Sequence, residues 1–460
     1  MVPGRLRTLA DVERLLRTTT NYEEKMPRDA STRPFDLARM EALLDAVGRP
    51  ERGPVTAHVT GSKGKGSTCR MLDAVLRAAG RGPVGLYVSP HLESLAERVS
   101  VDGRPVSGAA LARATEALRP ALRAAEGTER FPTFFEVLTA AAHVAFRAAG
   151  CRSVVLEVGL GGRLDATNVC TPSVTAVTTV ELEHVKLLGD TVEKIAAEKA
   201  GILKPGVPCV TAVPATSGAL AVVEARARAV GAPLDRVGRE VTLSDVVAGP
   251  GPRLALTVAG PDSAPPLRVE VPVAGEHQAG NAAVAVAMAR RLGVGDDAVR
   301  AGLARVTLPA RMEPVLARPT VVIDGAHTVA SAQAARRALA TCFAFRRLHL
   351  VVGALEEKDV RGILAPLLDG AASAVAVTVE SPRALAADAL AALVREGAPG
   401  ATVGTAPDAA TALATALARA DADDLVLVTG SLYLAGAARA AARRLAGFLP
   451  TDGRPSGRRA

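Results

Sequence analysis

The sequence has no tryptophan, and aromatic residues make up only 2% of its 460 positions. That leaves little material for the stacking platforms on which proteins hold single-stranded nucleic acid. It also means that the interior must be built from Ala, Val and Leu. Cysteine is scarce as well. Cys69, Cys151, Cys170, Cys209 and Cys342 are odd in number, scattered, and form no C-x-x-C pair, which argues against a disulfide framework or a structural zinc site. No apolar run is long enough to span a bilayer. Met1 to Leu16 mixes charges among its apolar residues, unlike a secretory leader, so a reduced, cytoplasmic setting is the simplest expectation. No dense Lys/Arg tract occurs outside Gly453–Arg459. The net charge of +8 therefore reads as an arginine-rich surface, or as a complement to polyanionic ligands, and neither a nucleic-acid nor a membrane partner is expected.

What is present is length and alternation. A chain of 460 residues is too long for one ordinary core. Short apolar runs (Val55–Val59, Val84–Val88, Val154–Val158, Val174–Val180, Val321–Ile323, Leu348–Val352, Ala374–Val379, Leu425–Val428) alternate with longer Ala/Leu-rich runs such as Ser67–Ala79, Phe135–Ala149 and Asn281–Leu292. This is the pattern of parallel sheets covered on both faces by helices. A Pro/Gly-rich interval from Val241 to Val273 interrupts it and reads as a hairpin at a sheet edge. A second break lies at Thr307–Glu313, after which a fresh strand–helix series begins. The expectation is an α/β chain with one domain over 1–308 and a smaller one over 309–449. The Pro/Gly/Arg-rich segment 450–460 is expected to be a disordered tail.

The first run, Val55–Val59, leads into Thr60-Gly61-Ser62-Lys63-Gly64-Lys65-Gly66-Ser67-Thr68 and then a helix. Strand, glycine-rich turn and helix N-terminus make an anion site. Backbone N–H groups from Gly61, Gly64 and Gly66 point at phosphate, Lys65 adds a point charge, and Ser67 or Thr68 orients phosphate or a cation. The spacing differs from G-x-x-x-x-G-K-[ST] because Gly66 separates Lys65 from the hydroxyls. Glu157 ends an apolar strand just before another glycine-rich turn. Strand C-termini are where ligands bind in open α/β sheets, and a carboxylate there suits a hard cation.

Taken in order, these strings resemble the folylpolyglutamate synthase/dihydrofolate synthase family of Mur ligases over nearly the whole chain. The phosphate loop is followed by Ser89-Pro90-His91-Leu92 and Thr133-Phe134-Phe135-Glu136. The long string Leu156-Glu157-Val158-Gly159-Leu160-Gly161-Gly162-Arg163-Leu164-Asp165-Ala166-Thr167-Asn168 comes next, then His184 with Leu188–Thr191, and Glu198-Lys199-Ala200-Gly201. Asp324-Gly325-Ala326-His327 and Gly430-Ser431-Leu432-Tyr433 close the series. The resemblance implies a P-loop-type parallel-sheet ATPase domain followed by a Rossmann-like α/β domain. It also implies an ATP- and Mg²⁺-dependent ligase that adds L-glutamate to dihydropteroate, to reduced folate (poly)glutamates, or to both.

Site residues follow from the same resemblance. Ser89, Glu157, His184 and Lys199 are implied as ligands for two magnesium ions, with Lys65, Glu157, His184 and Lys199 as the catalytic set. Read alone, Ser89 is a turn residue before Pro90, His184 is a packing histidine, and Lys199 offsets a helix C-terminal dipole. The resemblance implies that Lys199 reacts with CO₂ to give a carbamate, which needs a neutral amine. Asn281, Arg311 and Asp324 are implied in ATP binding, though Arg311 alone reads as a surface arginine. His327, Ser431 and Tyr433 are implied on the glutamate side. Asn21, Tyr22, Thr133, Phe134, Phe135, Glu136, Leu164, Asp165 and Ala166 are implied on the pterin side, while Thr133 also fits a helix N-cap.

Three departures from the family pattern stand out. Ser62-Lys63 replaces Thr-Asn, Glu183 replaces Asp, and Thr328-Val329 replaces Asn-Pro after His327. Two other functions compete. A cell-wall Mur ligase would carry a UDP-binding domain ahead of the phosphate loop, and Gly61 leaves little room for one. A nucleic-acid-dependent ATPase would carry an acidic Walker B pair, and Glu157-Val158-Gly159 stands there instead. A monomer is the default expectation.

Overall fold

The computed structural model describes residues 4–23, 36–260, 265–445 and 448, so the segment 450–460 lies outside the described residues. The chain divides into two compact units. One comprises Met1–Ser244, Thr257–Val269 and Ala279–Val306. The other comprises Asp245–Leu256, Glu270–Gln278 and Thr307–Ala460.

The first unit is built on an eight-stranded sheet. Its strands are β1 (Val55–Thr60), β2 (Val84–Tyr87), β3 (Val99–Val101), β4 (Arg104–Pro105), β5 (Ser153–Glu157), β6 (Val174–Val177), β7 (Cys209–Thr211) and β8 (Leu234–Arg236), in the order β4-β3-β2-β5-β1-β6-β7-β8. The pairs from β2 through β8 are parallel, and β3 and β4 add antiparallel edges. β5 is buried along its whole length, which is why a parallel central strand reads as a continuous apolar run. β1 lies between β5 and β6, in register Val59↔Glu157 and Thr60↔Val177. The phosphate loop and Glu157 therefore leave the sheet side by side at its carboxyl edge.

Small side chains compensate for the missing aromatics. In the helix Gln278–Arg291 every residue from Ala282 to Ala289 is buried, so both faces are packed. The helix Asp296–Leu303 comes so close to Lys65–Ala78 that a Cβ at Gly302 would lie 2.7 Å from the Ala74 carbonyl. That packing fixes the helix which starts at the phosphate loop. On the other side, Leu15, Leu43 and Phe146 join one apolar cluster with Tyr87 and Leu156. Each large side chain buried there contributes roughly 1.5–3 kcal/mol.

Residues 242–271 form a separate three-stranded sheet of β9 (Thr242–Gly249), β10 (Arg253–Ala259) and β11 (Leu267–Val271), in the order β11-β10-β9. The interval expected to be an edge hairpin is thus a small sheet of its own. β11 alternates buried and exposed residues, as a strand with one solvated face does.

The second unit holds a six-stranded sheet of β12 (Glu313–Ala317), β13 (Thr320–Ile323), β14 (Leu348–Val352), β15 (Ala371–Val377), β16 (Thr402–Ala406) and β17 (Leu425–Thr429), in the order β12-β13-β17-β14-β15-β16. Only β12 is antiparallel to its neighbour. Leu339, Leu350, Leu367 and Leu427 centre its core. Among the described residues, no helix is long and apolar enough to cross a membrane.

Candidate active site

The loop after β1 is locked from below. Ser62 N–H donates to the Thr179 carbonyl at 2.7 Å and Lys63 N–H to Thr179 Oγ1 at 3.0 Å, and the Thr178 hydroxyl lies 2.6 Å from the Lys63 carbonyl. Glu181 N–H donates to Ser62 Oγ at 3.0 Å, so the departure at Ser62 keeps a hydroxyl that tethers the loop. Gly64 has φ +84° and serves as N-cap of the helix Lys65–Ala78 without a side-chain cap. The first turn of that helix thus begins with N–H donors that no capping side chain accepts. A Cβ on Gly64 would run into the Asn281 side chain, which brings Asn281 against the loop. Lys65 Nζ bonds back to the Gly61 carbonyl at 2.7 Å. Buried in the first turn, Thr68 Oγ1 has no hydrogen-bond partner. A helix start, an ammonium and an orphaned hydroxyl fit a bound phosphate chain.

The unusual Gly66 has a spatial reason. A Cβ there would sit 3.2 Å from Glu157 Oε2, so the carboxylate lies directly over the first helical turn. Glu157 is buried and accepts the Ser89 N–H at 3.0 Å. Its oxygens and the half-buried Ser89 hydroxyl are donors suited to a hard cation. Among the described residues, no group of three His, Cys, Asp or Glu side chains converges on one point. His184 is exposed, at φ +47°, as N-cap of the short helix Val185–Leu188.

Lys199 is almost wholly buried and donates to Glu183 Oε1 at 2.8 Å. Burial, reinforced by the nearby Lys65 charge, lowers the Lys199 ammonium to about 8. Burial raises the Glu183 carboxyl, but Lys199 and Lys65 outweigh it and draw the group down to about 2. The longer Glu in place of Asp thus reaches Lys199, a partner that the sequence pattern did not disclose.

The residues implied on the pterin side are linked through side chains that sequence reasoning missed. Thr133 and Glu136 form a reciprocal capping box at the helix Phe134–Ala148, and Arg39 grips Glu136 with Nε and Nη2 at 2.9–3.2 Å. Phe135 packs on Tyr87, with ring centroids 5.7 Å apart, and would collide with a Cβ on Gly159. Arg98, only 2% exposed, lies 5.2 Å over the Phe134 ring, pairs with both oxygens of Glu23 at 2.6 Å, and donates Nε to His91 Nδ1. Asn21 Oδ1 accepts the Glu23 N–H at 3.0 Å, while burial raises the Tyr22 phenol. Asp165 accepts N–H groups from Gly159, Leu160 and Thr167 at 2.9–3.1 Å and holds the turn that follows Glu157. Leu164 and Ala166 flank it, half-buried and buried.

Within the second unit, Asp324 follows β13 and accepts the Met312 and Ala326 N–H groups, each at 2.8 Å. Arg311 is exposed between two residues in left-handed backbone, Ala310 and Met312. His327 Nδ1 lies 2.8 Å from the Gly325 carbonyl. Thr328 caps the helix Val329–Cys342. The departure from Asn-Pro therefore preserves the local chemistry: Thr is another good N-cap, and Val takes the first helical position, where Pro is favoured. Ser431 is buried as N-cap of the helix Leu432–Ala442, with Tyr433 exposed beside it.

This geometry has close counterparts. Residues 59–289 match the Mur ligase middle domain and residues 310–432 the Mur ligase glutamate ligase domain. A probable bifunctional folylpolyglutamate synthase/dihydropteroate synthase of Halobacterium salinarum is 42% identical over 86% of this chain and 48% of its own length; the chain spans about half the length of such halobacterial relatives. The dihydrofolate synthase/folylpolyglutamate synthase of Mycobacterium tuberculosis is 37% identical over 88% of this chain and 89% of its own. The structure of M. tuberculosis folylpolyglutamate synthase complexed with ADP superposes with a TM-score of 0.84 at 35% identity, covering 95% of this chain and 98% of that one. The chain belongs to the folylpolyglutamate synthase/dihydrofolate synthase family of Mur ligases.

Proposed function

We propose that the chain is an ATP- and magnesium-dependent ligase that joins L-glutamate to dihydropteroate, to reduced folate (poly)glutamates, or to both. The observation that carries this reading is the uncapped start of a 14-residue helix under Lys65 and the orphaned Thr68 hydroxyl, with Glu157 against Gly66. The acceptor's carboxylate oxygen attacks the γ-phosphorus and ADP leaves, giving an acyl phosphate. The amine of glutamate then attacks the acyl carbon, phosphate leaves, and the nitrogen gives up its proton. Such transfers need positioning and charge neutralisation more than covalent help.

The helix N–H groups, Lys65, Ser67 and Thr68 hold the phosphates, with Asn281, Arg311 and Asp324 as further ATP contacts. Ser89, Glu157, His184 and Lys199 as its carbamate would hold two magnesium ions, whose contribution when bound is to neutralise phosphate charge. An amine lowered to about 8 leaves Lys199 neutral often enough to take up CO₂. Residues 133–136 and 164–166 with Asn21 and Tyr22 receive the pterin. His327, Ser431 and Tyr433 receive glutamate.

The test is ADP release with ATP, magnesium and glutamate, run with dihydropteroate, with tetrahydrofolate, and with no pterin. Release with one or both pterins supports the reading and selects the acceptor. Release with neither, from protein that binds ADP, overturns it in favour of a Mur-type ligase with another acceptor.

A further inference from the structure

Arg311 stands on an awkward backbone. The residues on either side, Ala310 at φ +52° and Met312 at φ +48°, occupy the left-handed region that side chains disfavour. Such a turn persists only where its surroundings over-determine it. Four hydrogen bonds do so. Ala310 N–H donates to Glu313 Oε2 at 2.9 Å, Met312 N–H to Asp324 Oδ2 at 2.8 Å, Gly325 N–H to the Ala310 carbonyl at 2.9 Å, and Arg311 N–H to the Leu308 carbonyl at 3.2 Å. Asp324 belongs to the nucleotide set already described, but Glu313 does not. Its carboxylate is held in turn by Arg439, whose Nε lies 3.0 and 2.9 Å from the two oxygens, with both side chains only 2–3% exposed. The partners are 126 residues apart, one on β12 and one on the helix Leu432–Ala442.

A buried ion pair is a poor source of stability, because desolvation offsets much of the attraction. A rigid carboxylate aimed at the strained N–H of Ala310 gives this one a different purpose. We propose that Glu313 and Arg439 are positioning residues that hold the Ala310–Met312 turn and so set the place of Arg311, whose Nη1 donates to the Ala310 carbonyl at 2.9 Å. The proposal rests on the reading of Arg311 as an ATP contact. Both residues act through Arg311.

A double-mutant cycle on the full-length protein tests this, with kcat and KM for ATP measured separately from KM for the pterin and for glutamate. Arg311→Ala is expected to lower kcat/KM for ATP about 100-fold and Glu313→Gln about 10-fold, the range a misplaced clamp costs. KM for the pterin should not move. On the Arg311→Ala background, Glu313→Gln should add no further loss, because its effect passes through the missing guanidinium. The paired variant Glu313→Gln/Arg439→Met removes both charges and guards against misfolding. It should melt near the parent while keeping the ATP-specific defect. If Glu313→Gln or the paired variant matches the parent for ATP while Arg311→Ala is impaired, the positioning proposal is overturned and Arg311's role stands. An additive Glu313→Gln loss on the Arg311→Ala background also overturns it. A fully active Arg311→Ala overturns the role of Arg311, and the proposal with it.

Discussion

Each unit pairs a glutamate with a cation beside a turn of the candidate site, Glu183 with Lys199 in the first and Glu313 with Arg439 in the second, and the two are built differently. In the first unit Glu183 meets Lys199 through one contact at 2.8 Å, with the carboxylate 19% exposed. In the second, both oxygens of Glu313 face Arg439 Nε, and both side chains are sealed from solvent. The difference lies in what each cation can do. Arginine is charged at any accessible pH, whereas a buried lysine loses its proton readily. The turns differ in the same sense. The phosphate loop reaches positive φ with glycines, Gly61 and Gly64, while the Arg311 turn forces Ala310 and Met312 there. One pair contains a titratable amine, the other a permanent charge.

Exchanging the cation in the first pair sharpens this contrast most. Lys199→Arg keeps a charge for Glu183 but removes the amine that the proposed carbamate requires. Ligase turnover is expected to fall on the order of 10³-fold, as when a fixed electrostatic group is lost from an active site, while ADP binding persists. Lys199→Ala, supplied with a short-chain carboxylate, should recover part of the rate. An active Lys199→Arg would mean that Lys199 serves only as a cation, and the two pairs would then be alike.

The glycines come next. Ala at position 64 would need φ +84° and would strike Asn281. The backbone cost alone is about 1–2 kcal/mol, and the displaced Asn281 adds to it. Gly64→Ala should weaken ADP binding at least about 100-fold by titration calorimetry, a change of some 2.7 kcal/mol. Unimpaired binding would show that the loop does not depend on that geometry.

How legible was this in the sequence? The strand–helix alternation was, because a parallel strand buried on both faces, such as Ser153–Glu157, is written as an unbroken apolar run. Gly66 stood out as an extra glycine, but its reason, the carboxylate of Glu157 over its Cα, is a contact between residues 91 positions apart and has no local signature. Arg98 looked like any arginine in Glu97-Arg98-Val99, and nothing in that string announces a buried guanidinium shared by Glu23, His91 and Phe134. The interval from Val241 to Val273, expected to be an edge hairpin, holds a sheet of its own, because turn chemistry marks where strands reverse and says nothing of which sheet they join.

Acid separates the units next. In the first, burial holds His58 at about 3, with Nε2 2.8 Å from Thr167 Oγ1 and Nδ1 without a partner. His143 is lowered to about 4 by burial alone, and His91 to about 4 by burial and then by Arg98. In the second, burial lowers His277, and the charge of Asp324 opposes that shift. A histidine whose folded pKa lies below its unfolded value binds fewer protons folded than unfolded. The stability it leaves intact above about pH 6.5 is therefore lost as pH falls toward its folded pKa. For His58 the loss at pH 4 is about 3 kcal/mol. The first unit should open first on acidification, seen as loss of amide-exchange protection around β1 between pH 6 and 4. His58→Gln should move that onset to lower pH, and an unmoved onset would assign the lability to other groups.

The smallest effect is expected where the second unit looks most strained. Ala310→Gly relieves a left-handed conformation worth about 1–2 kcal/mol. Against this, glycine loses more backbone entropy on folding, roughly 0.5–1 kcal/mol. The Ala310 methyl is also fully buried, and its loss costs about 0.8 kcal/mol. The three contributions nearly cancel, so the melting temperature should stay within about 2 °C of the parent. The same exchange of methyl for hydrogen, run in the opposite direction at Gly64, disables its loop. A fall of more than about 5 °C in Ala310→Gly would mean that packing, and not the Glu313 and Asp324 hydrogen bonds, keeps Ala310 in the left-handed region. The two turns would then differ in composition but not in the way they are held.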